Sequence, residues 1–217
     1  ISTNSKFSNN LALNGTETDN VTWFEPNKSF FDLNELINNN TDTDIYLNNN
    51  YTFDLTKDYN FKDGVTISRA VTVHGNGFTI DGDNLAKMFL VDGGPFILNN
   101  VTLINGLYNG SGGGYSGGAM YIGTLSATKQ INVILNNVTF INNHARIDGA
   151  SVDKGGAIYL NANRGSLTLN NCTFENNSAS GYGGAIAVIK GELNISSSKF
   201  ENNYLEYEGH GGAIYTE

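Results

Sequence analysis

Two carboxylates recur at the same place in a repeated pattern, because Glu175 follows Phe174 and Glu201 follows Phe200. If successive repeats stack, both side chains point outward and lie one strand spacing apart, about 4.8 Å. Retaining glycosidases hold their two carboxyl groups about 5–5.5 Å apart, so the spacing admits hydrolysis of a glycosidic bond. The pair could also hold calcium weakly. Because a repeated unit also repeats its solvated residues, we favour an exposed pair without catalytic function.

Other groups that could bind a metal are isolated or lack the right spacing. The segment Asp81-Gly82-Asp83-Asn84 resembles the start of a calcium loop, but the remaining acidic ligands are missing, and a turn is favoured. The histidines His74, His144 and His210 lie far apart in the chain and fit no zinc-binding spacing. We therefore predict no catalytic residue, no metal and no cofactor.

Aromatic residues next to core positions and residues on insertions are better candidates for recognition. Tyr121 and Tyr159 each follow the apolar residue of a GGA motif, so they should face outward, where their rings could stack on sugars. Insertions in repeat proteins concentrate on one face, often the binding face, and two stand out at 109–115 and 145–154. The predicted ligand-binding surface comprises Tyr115, Tyr121, Tyr159, Asp148 and Asp153.

Asn-x-Ser/Thr sequons recur along the chain and are typical of an exported protein that can carry glycans. A chain this rich in Asn also produces sequons by chance. The possible glycosylation sites within the repeats are Asn100, Asn137, Asn171, Asn176 and Asn194.

The composition favours an all-β fold with many tight corners. The chain has 26 Gly and only 2 Pro, and Asn is even more abundant than Gly. Both residues tolerate left-handed backbone conformations, and 39% hydrophobic residues are too many for a disordered chain. A net charge of −9 argues against nucleic acid or an anionic membrane as a partner.

Internal repetition is the strongest signal in the sequence. A GGA motif followed by Met or Ile occurs four times, with its first glycines 38, 28 and 28 residues apart. A second marker, Phe-x-Asn-Asn, alternates with it. The GGA motifs begin at Gly117, Gly155, Gly183 and Gly211, and the second markers begin at Phe140, Phe174 and Phe200.

One repeat reads as a series of short strands separated by corners, because its apolar residues alternate and Asn, Ser or Gly follow them. Coiling one repeat per turn stacks like residues on like. We predict a right-handed, single-stranded parallel β-helix in which the Phe residues form one inward ladder and the Met and Ile residues form another. We expect Asn142, Asn176 and Asn202 at equivalent bends, with their amides bonded to one another and to corner backbone groups.

The amino-terminal part departs from the repeats and should form a cap. Ser29 is a plausible N-cap for a short helix at 30–38 whose apolar stripe would plug the first turn. We expect an extended or mobile lead-in at 1–28, a cap with irregular first turns at 29–95, and regular repeats at 96–217. The chain stops as a new turn opens, so we expect truncation of a longer protein with further repeats. No apolar run approaches the ~18 residues of a membrane span.

The GGA and Phe-x-Asn-Asn markers resemble two families of surface proteins. One is the polymorphic outer membrane proteins of chlamydiae, and the other is the adhesin-like proteins of methanogenic archaea. The segment 71–82, the helix before it and the abundant Asn are more similar to the archaeal group. The resemblance covers about 30–217 and implies a parallel β-helix of the pectate lyase type in an extracellular or cell-surface protein.

We therefore expect a non-enzymatic, adhesin-like module that attaches to cells, host surfaces or polysaccharide. Its partner would be a surface protein or carbohydrate of another cell or host. Two alternatives remain open: a carbohydrate-active enzyme of the same fold, either a polysaccharide lyase or a glycoside hydrolase, and a purely structural component of the cell envelope.

Overall fold

A computed structural model describes residues 26–110, 116–124, 129–146 and 153–217 of the chain, so most of the predicted lead-in lies outside the described residues. Over these residues the chain is a parallel β-helix with a helix at its amino-terminal end, which confirms the predicted fold class. No helix among the described residues is long and apolar enough to cross a membrane. The elements are α1 (Phe30–Asn38), a 3-10 helix (Tyr59–Phe61), and strands β1 (Asp44–Tyr46), β2 (Tyr51–Thr52), β3 (Val65–Ile67), β4 (Val71–His74), β5 (Thr79–Asp81), β6 (Phe89–Val91), β7 (Phe96–Ile104), β8 (Leu107–Tyr108), β9 (Met120–Gly123), β10 (Ile131–Ile141), β11 (His144–Ala145), β12 (Ile158–Asn170), β13 (Thr173–Glu175), β14 (Ser178–Ala179), β15 (Ile186–Ser196), β16 (Lys199–Glu201), β17 (Tyr204–Leu205) and β18 (Ile214–Thr216).

The strands pair in parallel and form four walls around one axis. Wall 1 contains β1, β4, the first halves of β7 and β10, and the second halves of β12 and β15. Wall 2 contains β2, β5, the second halves of β7 and β10, β13 and β16. Wall 3 is the short sheet of β8, β11, β14 and β17. Wall 4 contains β3, β6, β9, the first halves of β12 and β15, and β18.

The second marker builds the aromatic ladder that the sequence predicts in wall 2. Phe140, Phe174 and Phe200 are in register on successive strands. Their ring centroids lie 4.6 and 4.8 Å apart with interplanar angles of 2°, so the rings stack face to face at the strand spacing. Phe140 and Phe174 are fully buried, which confirms their inward direction.

The GGA motif builds the aliphatic ladder of wall 4. The Met or Ile residues that follow the motifs stack in register, and the second glycine of each of the first three motifs lies against the next turn. A Cβ on Gly156 would collide with the carbonyl oxygen of Gly184, and Gly183 has a φ of 61°. The two glycines thus permit a close approach and a left-handed corner, respectively. The ladder residues are Met120, Ile158, Ile186 and Ile214.

We expected the first Asn of each second marker both to form the corner and to carry the amide ladder. In the structure the two roles belong to different residues of the Asn pair. Asn142, Asn176 and Asn202 do occupy the corners, with left-handed φ values of 53°, 54° and 52°. Asn142 is exposed, however, and the next residue, Asn143, is fully buried. The expectation that the first Asn carries the corner amide ladder is wrong, because the left-handed turn at that residue points the second side chain inward.

The buried amide ladder therefore consists of Asn143, Asn177 and Asn203. The Nδ2 of Asn177 donates to the carbonyl oxygen of Phe140 at 3.1 Å and to Oδ1 of Asn203 at 2.9 Å. Its Oδ1 accepts from the backbone N–H of Asn143 at 3.0 Å and from the Nδ2 of Asn143 at 2.9 Å. These bonds satisfy backbone groups at a corner where strand pairing is interrupted.

Helix α1 covers the first turn, as predicted, and its amino-terminal end is capped twice. The hydroxyl of Ser29 and the carboxylate of Asp32 form a reciprocal capping box. The fully buried carboxylate of Asp58 also accepts from the backbone N–H groups of Phe30 and Phe31, at 2.9 and 2.8 Å. A negative group at this position complements the positive end of the helix dipole.

The other end of α1 is fixed by Arg69, and the apolar face packs on the core. The Nη2 of Arg69 donates to the carbonyl oxygens of Ile37 and Asn40, at 2.6 and 3.1 Å. Phe30 and Phe53 pack edge to face with centroids 5.5 Å apart. The helix therefore closes the end of the axial core and satisfies its own terminal groups.

The Phe174→Ala variant tests the aromatic ladder. Removing a fully buried ring that stacks on two others should lower the free energy of unfolding by about 3–5 kcal/mol in urea titrations. Phe31 is 50% exposed, and Phe31→Ala is the matched control, expected to change stability by no more than about 0.5 kcal/mol. Equal stability of the two variants would contradict the observed register.

The Asn177→Ala variant tests the amide ladder. The substitution leaves the backbone N–H of Asn143 and the carbonyl oxygen of Phe140 without their partner. We expect a loss of about 2 kcal/mol or more in urea titrations, since each buried group left unsatisfied costs about 1–3 kcal/mol. Asn194 is exposed on wall 1, so Asn194→Ala should unfold like the wild type. A loss of the same size in both variants would disprove a special contribution of the buried ladder.

Candidate functional site

Two of the five predicted ligand-binding residues, Tyr115 and Asp148, lie outside the described residues. Tyr121 and Tyr159 lie side by side on wall 4, with ring centroids 5.6 Å apart. They point away from the axial core, but only 4% and 6% of their surfaces are exposed. The expectation that they form an open platform is therefore wrong, because a second apolar cluster forms outside wall 4. It contains Tyr121, Tyr159 and Ala187, with Leu90, Ile189 and Tyr215 packed against it.

Asp153 is also buried, with 3% of its surface exposed, and it belongs to a polar network. Its Oδ2 accepts from the hydroxyl of Ser180 at 3.0 Å, and its Oδ1 accepts from the hydroxyl of Ser116 at 3.4 Å. Its backbone oxygen accepts from the N–H groups of Gly181 and Tyr182. We expected the carboxylate of Asp153 to be exposed for ligand recognition. It has a structural role instead, because its oxygens accept hydrogen bonds from neighbouring turns.

The sequence did not single out Lys87, which lies next to this network. Its Nζ is 4.8 Å from the ring centroid of Tyr108, 5.6 Å from that of Tyr121 and 3.4 Å from the backbone oxygen of Ser116. The side chain is 1% exposed, and burial lowers the pKa of its ammonium group to about 7. Ser116 follows the first insertion and Asp153 lies near the end of the second, so this buried polar cluster holds the chain where it re-enters the β-helix.

The carboxylate pair lies where stacking predicts, on the outer side of wall 2. Glu175 and Glu201 are in register on adjacent strands. Glu201 is exposed and its Oε2 is 2.6 Å from the Nζ of Lys199. One carboxylate is therefore ion-paired on an open surface, an arrangement that does not enclose a sugar ring.

A serine–histidine contact on wall 3 was not recognised in the sequence. The Nδ1 of His144 lies 2.7 Å from the hydroxyl oxygen of Ser178, and that hydroxyl donates to Glu206 at 2.8 Å. Burial, followed by the charge of Arg146, lowers the pKa of His144. The hydroxyl of the fully buried Ser178 donates its hydrogen bond to Glu206, so it accepts a hydrogen bond from the Nδ1–H of His144. In this arrangement His144 does not activate Ser178 as a nucleophile.

The predicted turn at Asp81 forms. Its Oδ1 accepts from the backbone N–H of Asp83 at 2.9 Å and from the Nδ2 of Asn105 at 3.0 Å. Asp83 and Asn84 both have positive φ values, as a tight turn requires. Across the part of the chain that the structure describes, no group of three or more His, Cys, Asp or Glu side chains could hold a metal ion.

The five predicted sequons differ in the surroundings of their amides. The Nδ2 of Asn137 donates to Asn100 at 2.8 Å, and the Nδ2 of Asn171 donates to Asn137 at 3.1 Å, along an exposed ladder. Asn176 occupies a half-buried left-handed corner. The amide of Asn194 is exposed on wall 1 without a hydrogen bond within the described residues. Asn100 is also exposed and only accepts in its ladder, so Asn100 and Asn194 both present an Nδ2 group that donates to no other described residue.

The outer side of wall 1 carries a polar groove with a volume of about 710 Å³. Strand β12 places four residues, 162–165, between Asn161 and Ser166, where β15 has only Gly191. The extra residues form a bulge whose tip, Asn163 and Arg164, is exposed. The bulge borders the groove on one side. The groove is lined by Gln130, Asn132, Ile134, Asn163, Arg164, Gly165, Ser166, Thr168, Gly191 and Glu192.

The floor of the groove consists of rows of outward side chains on successive strands. Asn132 is in register with Ser166, whose hydroxyl donates to its Oδ1 at 3.0 Å. Ile134 is in register with Thr168. The next outward row is an amide ladder, in which Asn170 donates to Asn136 and Asn136 donates to Asn99, both at 2.8 Å. This ladder runs along the axis beside the groove and widens the polar surface of wall 1.

Several groups that line the groove have hydrogen-bonding atoms without a side-chain partner in the described part of the chain. Over the described residues, no side-chain hydrogen bond or ion pair is formed by Gln130, Asn163, Arg164, Thr168 or Glu192. The groove therefore offers donors and acceptors of both kinds to a ligand.

The sequence contained an unused signal for this groove. The distance from the first glycine of a GGA motif to the next second-marker Phe is 23, 19 and 17 residues in successive turns. A strictly repeated turn would keep this distance constant, so a longer distance indicates added residues, and in the turn that contains β12 these residues form the bulge beside the groove. The two insertions that we selected instead lie between wall 3 and wall 4.

The comparisons with known proteins point to the repeated scaffold. Two stretches, 137–161 and 171–188, match the Chlamydia polymorphic membrane protein repeat, and together they cover less than half of the chain. Each begins at the start of wall 2 and ends in wall 4, and neither includes a residue that lines the groove. No curated protein and no solved structure matches the chain. The similarity therefore extends to the ladders and corners.

The buried ammonium group of Lys87 should make stability depend on pH. The pKa of Lys87 is about 7 in the folded protein and 10.5 in the unfolded chain. Between these two pH values the unfolded chain therefore binds more protons than the folded protein. The stabilising contribution is complete above pH 10.5, decreases as the pH falls, and is lost below pH 7. Urea titrations at pH 7 and pH 9 should show a rise in stability that Lys87→Met removes.

The matched control is Lys57→Met, because the Lys57 side chain is 67% exposed and should leave the pH dependence unchanged. The measurements must stop near pH 9. Burial raises the pKa values of Tyr51 and Tyr159 from 10.0 to about 12, so at higher pH these tyrosines ionise first in the unfolded chain and add a pH dependence of their own. The same rise in Lys87→Met as in the wild type would show that Lys87 is not the group responsible.

Proposed function

We propose that the chain is a non-enzymatic attachment module of a cell-surface, adhesin-like protein. The observation that carries the proposal is the match of two stretches to the Chlamydia polymorphic membrane protein repeat, a repeat of surface-associated proteins. The same stretches form the stacked turns of the β-helix. The partner would be a surface protein or a carbohydrate of another cell or host.

The distribution of the repeated residues supports this function. The markers occupy the inward ladders and the corners, where they stabilise the scaffold. The scaffold leaves its outer walls free to vary, and there the chain presents a polar groove and two anchored insertions. A rigid β-helix that displays variable outer residues suits attachment, because little conformational entropy is lost on binding.

Glycans on the module would be compatible with an extracellular location. Asn194 presents an exposed amide in a sequon, whereas the Nδ2 groups of Asn137 and Asn171 already donate within a ladder. We expect Asn194 and Asn100, whose Nδ2 groups donate to no other described residue, to be modified before Asn137 and Asn171 if the protein passes through a glycosylating pathway.

A carbohydrate-active enzyme is the second candidate, because the register of Glu175 and Glu201 places two carboxylates on adjacent strands. The surroundings favour attachment over hydrolysis. Glu201 is exposed and ion-paired with Lys199. Ser178 is fully buried, and its hydroxyl is already engaged by Glu206. The carboxylate pair therefore lies on an open face, with one member bound to a lysine, and does not enclose a sugar between two free carboxylates.

Attachment can be measured with the purified chain coupled to beads. We expect retention on intact cells or on immobilised surface polysaccharides above that of beads carrying an unrelated protein with the same net charge of −9. Matching the charge separates specific binding from electrostatic effects, which also weaken with added salt. Retention equal to the control on every surface would overturn the proposal in favour of a structural role in the envelope.

The enzymatic alternative has its own assay. Incubation with pectic and other cell-wall polysaccharides should release no reducing or unsaturated sugar ends above background. If sustained turnover occurs and disappears in Glu175→Gln, the non-enzymatic proposal is wrong. Asp42→Asn, a change of an exposed carboxylate on the amino-terminal cap, is the matched control for that variant.

A further inference from the structure

We propose that the polar groove on wall 1 is a binding site for a neutral polysaccharide chain. The inference rests on the proposed attachment function and names the ligand class and the residues that would contact it. The groove lies wholly outside the stretches that match the known repeat. It is therefore a feature of this chain beyond the shared scaffold.

The first argument is the hydrogen-bonding chemistry of the lining. Thr168 offers a hydroxyl, Gln130 and Asn163 offer planar amides, and none of them makes a side-chain hydrogen bond within the described residues. Sugar hydroxyls both donate and accept, so they match amides and hydroxyls, which also do both. Half-buried Ile134 adds one apolar contact for the face of a sugar ring.

The second argument is the direction of the groove. Its rows and the neighbouring ladder of Asn99, Asn136 and Asn170 run along the axis of the β-helix, with one residue per turn. Outward side chains of one row therefore follow one another every ~4.8 Å. An extended β-linked sugar chain advances by a similar length per residue, so it could place successive sugars over successive turns. A globular partner would gain nothing from this periodicity.

The third argument is the charge. The lining includes one cation, Arg164, and one anion, Glu192, and neither has an ion-pair partner among the described residues. Both can act as strong hydrogen-bonding groups toward hydroxyls. A polyuronate would meet the anion and the net charge of −9, with a single arginine to offset them. The lining is thus better suited to a neutral chain.

The test is a binding titration of the whole chain with three soluble probes: a β-linked glucan, an oligosaccharide of N-acetylglucosamine, and polygalacturonate. We expect at least one neutral probe to bind and polygalacturonate to bind more weakly. The double variant Arg164→Ala, Thr168→Val should weaken neutral binding about tenfold or more. Arg146 is exposed next to wall 3, so Arg146→Ala is the matched control and should bind like the wild type.

Three results would overturn the inference: binding of neither neutral probe, stronger binding of polygalacturonate, or neutral binding that the double variant retains. Circular dichroism melting must show that the double variant is folded, and Asn163→Ala on the exposed bulge provides a second variant that spares the sheet. The same proteins on beads separate the two proposals. Neutral binding in the groove without cell attachment contradicts only the attachment function, and attachment that survives the double variant without glycan binding contradicts only the groove.

Discussion

Hydrogen bonding between successive turns is the constraint on which the rest of the structure depends. Each strand pairs in parallel with its equivalent one turn away, so each residue type stacks on itself. The stacked Phe rings and the buried Asn amides are consequences of that register. The packing of the side chains and the pairing of the backbone therefore require the same register at every turn. A slip of one residue would turn the whole apolar set outward.

The same constraint explains which positions repeat. An inward side chain must fit between its neighbours above and below, and the glycine at a close approach cannot accept a Cβ. An outward side chain on an uncovered wall meets only solvent or a partner, so its identity and even the number of residues in the turn can change. The bulge of β12 is such a change: the walls on either side keep their register while four residues replace one. The groove thus arises where the scaffold tolerates irregularity.

Stacking also leaves open edges, and the protein covers one of them with α1. The helix satisfies its amino-terminal N–H groups through Ser29 and Asp58 and its carboxyl-terminal carbonyls through Arg69. The backbone polar groups at the ends of this helix are thus hydrogen-bonded, although they lie outside the repeated strand pairing. The buried cluster around Lys87 follows the same principle next to the insertions, where the amino group lies near two aromatic rings and the backbone oxygen of Ser116.

The sequence by itself determined the β-helix, its inward ladders, its left-handed corners and its capping helix, because these features follow from local residue types and a repeated spacing. It did not determine the exposure of outward residues. Tyr121, Tyr159 and Asp153 were expected on a recognition surface and are buried, since covering depends on contacts between segments far apart in the chain. Only the tertiary structure decided that wall 1 holds the groove, because a groove is the space between a bulge and a sheet face, and its lining comes from successive turns whose equivalent residues are 34 and 26 positions apart in the chain.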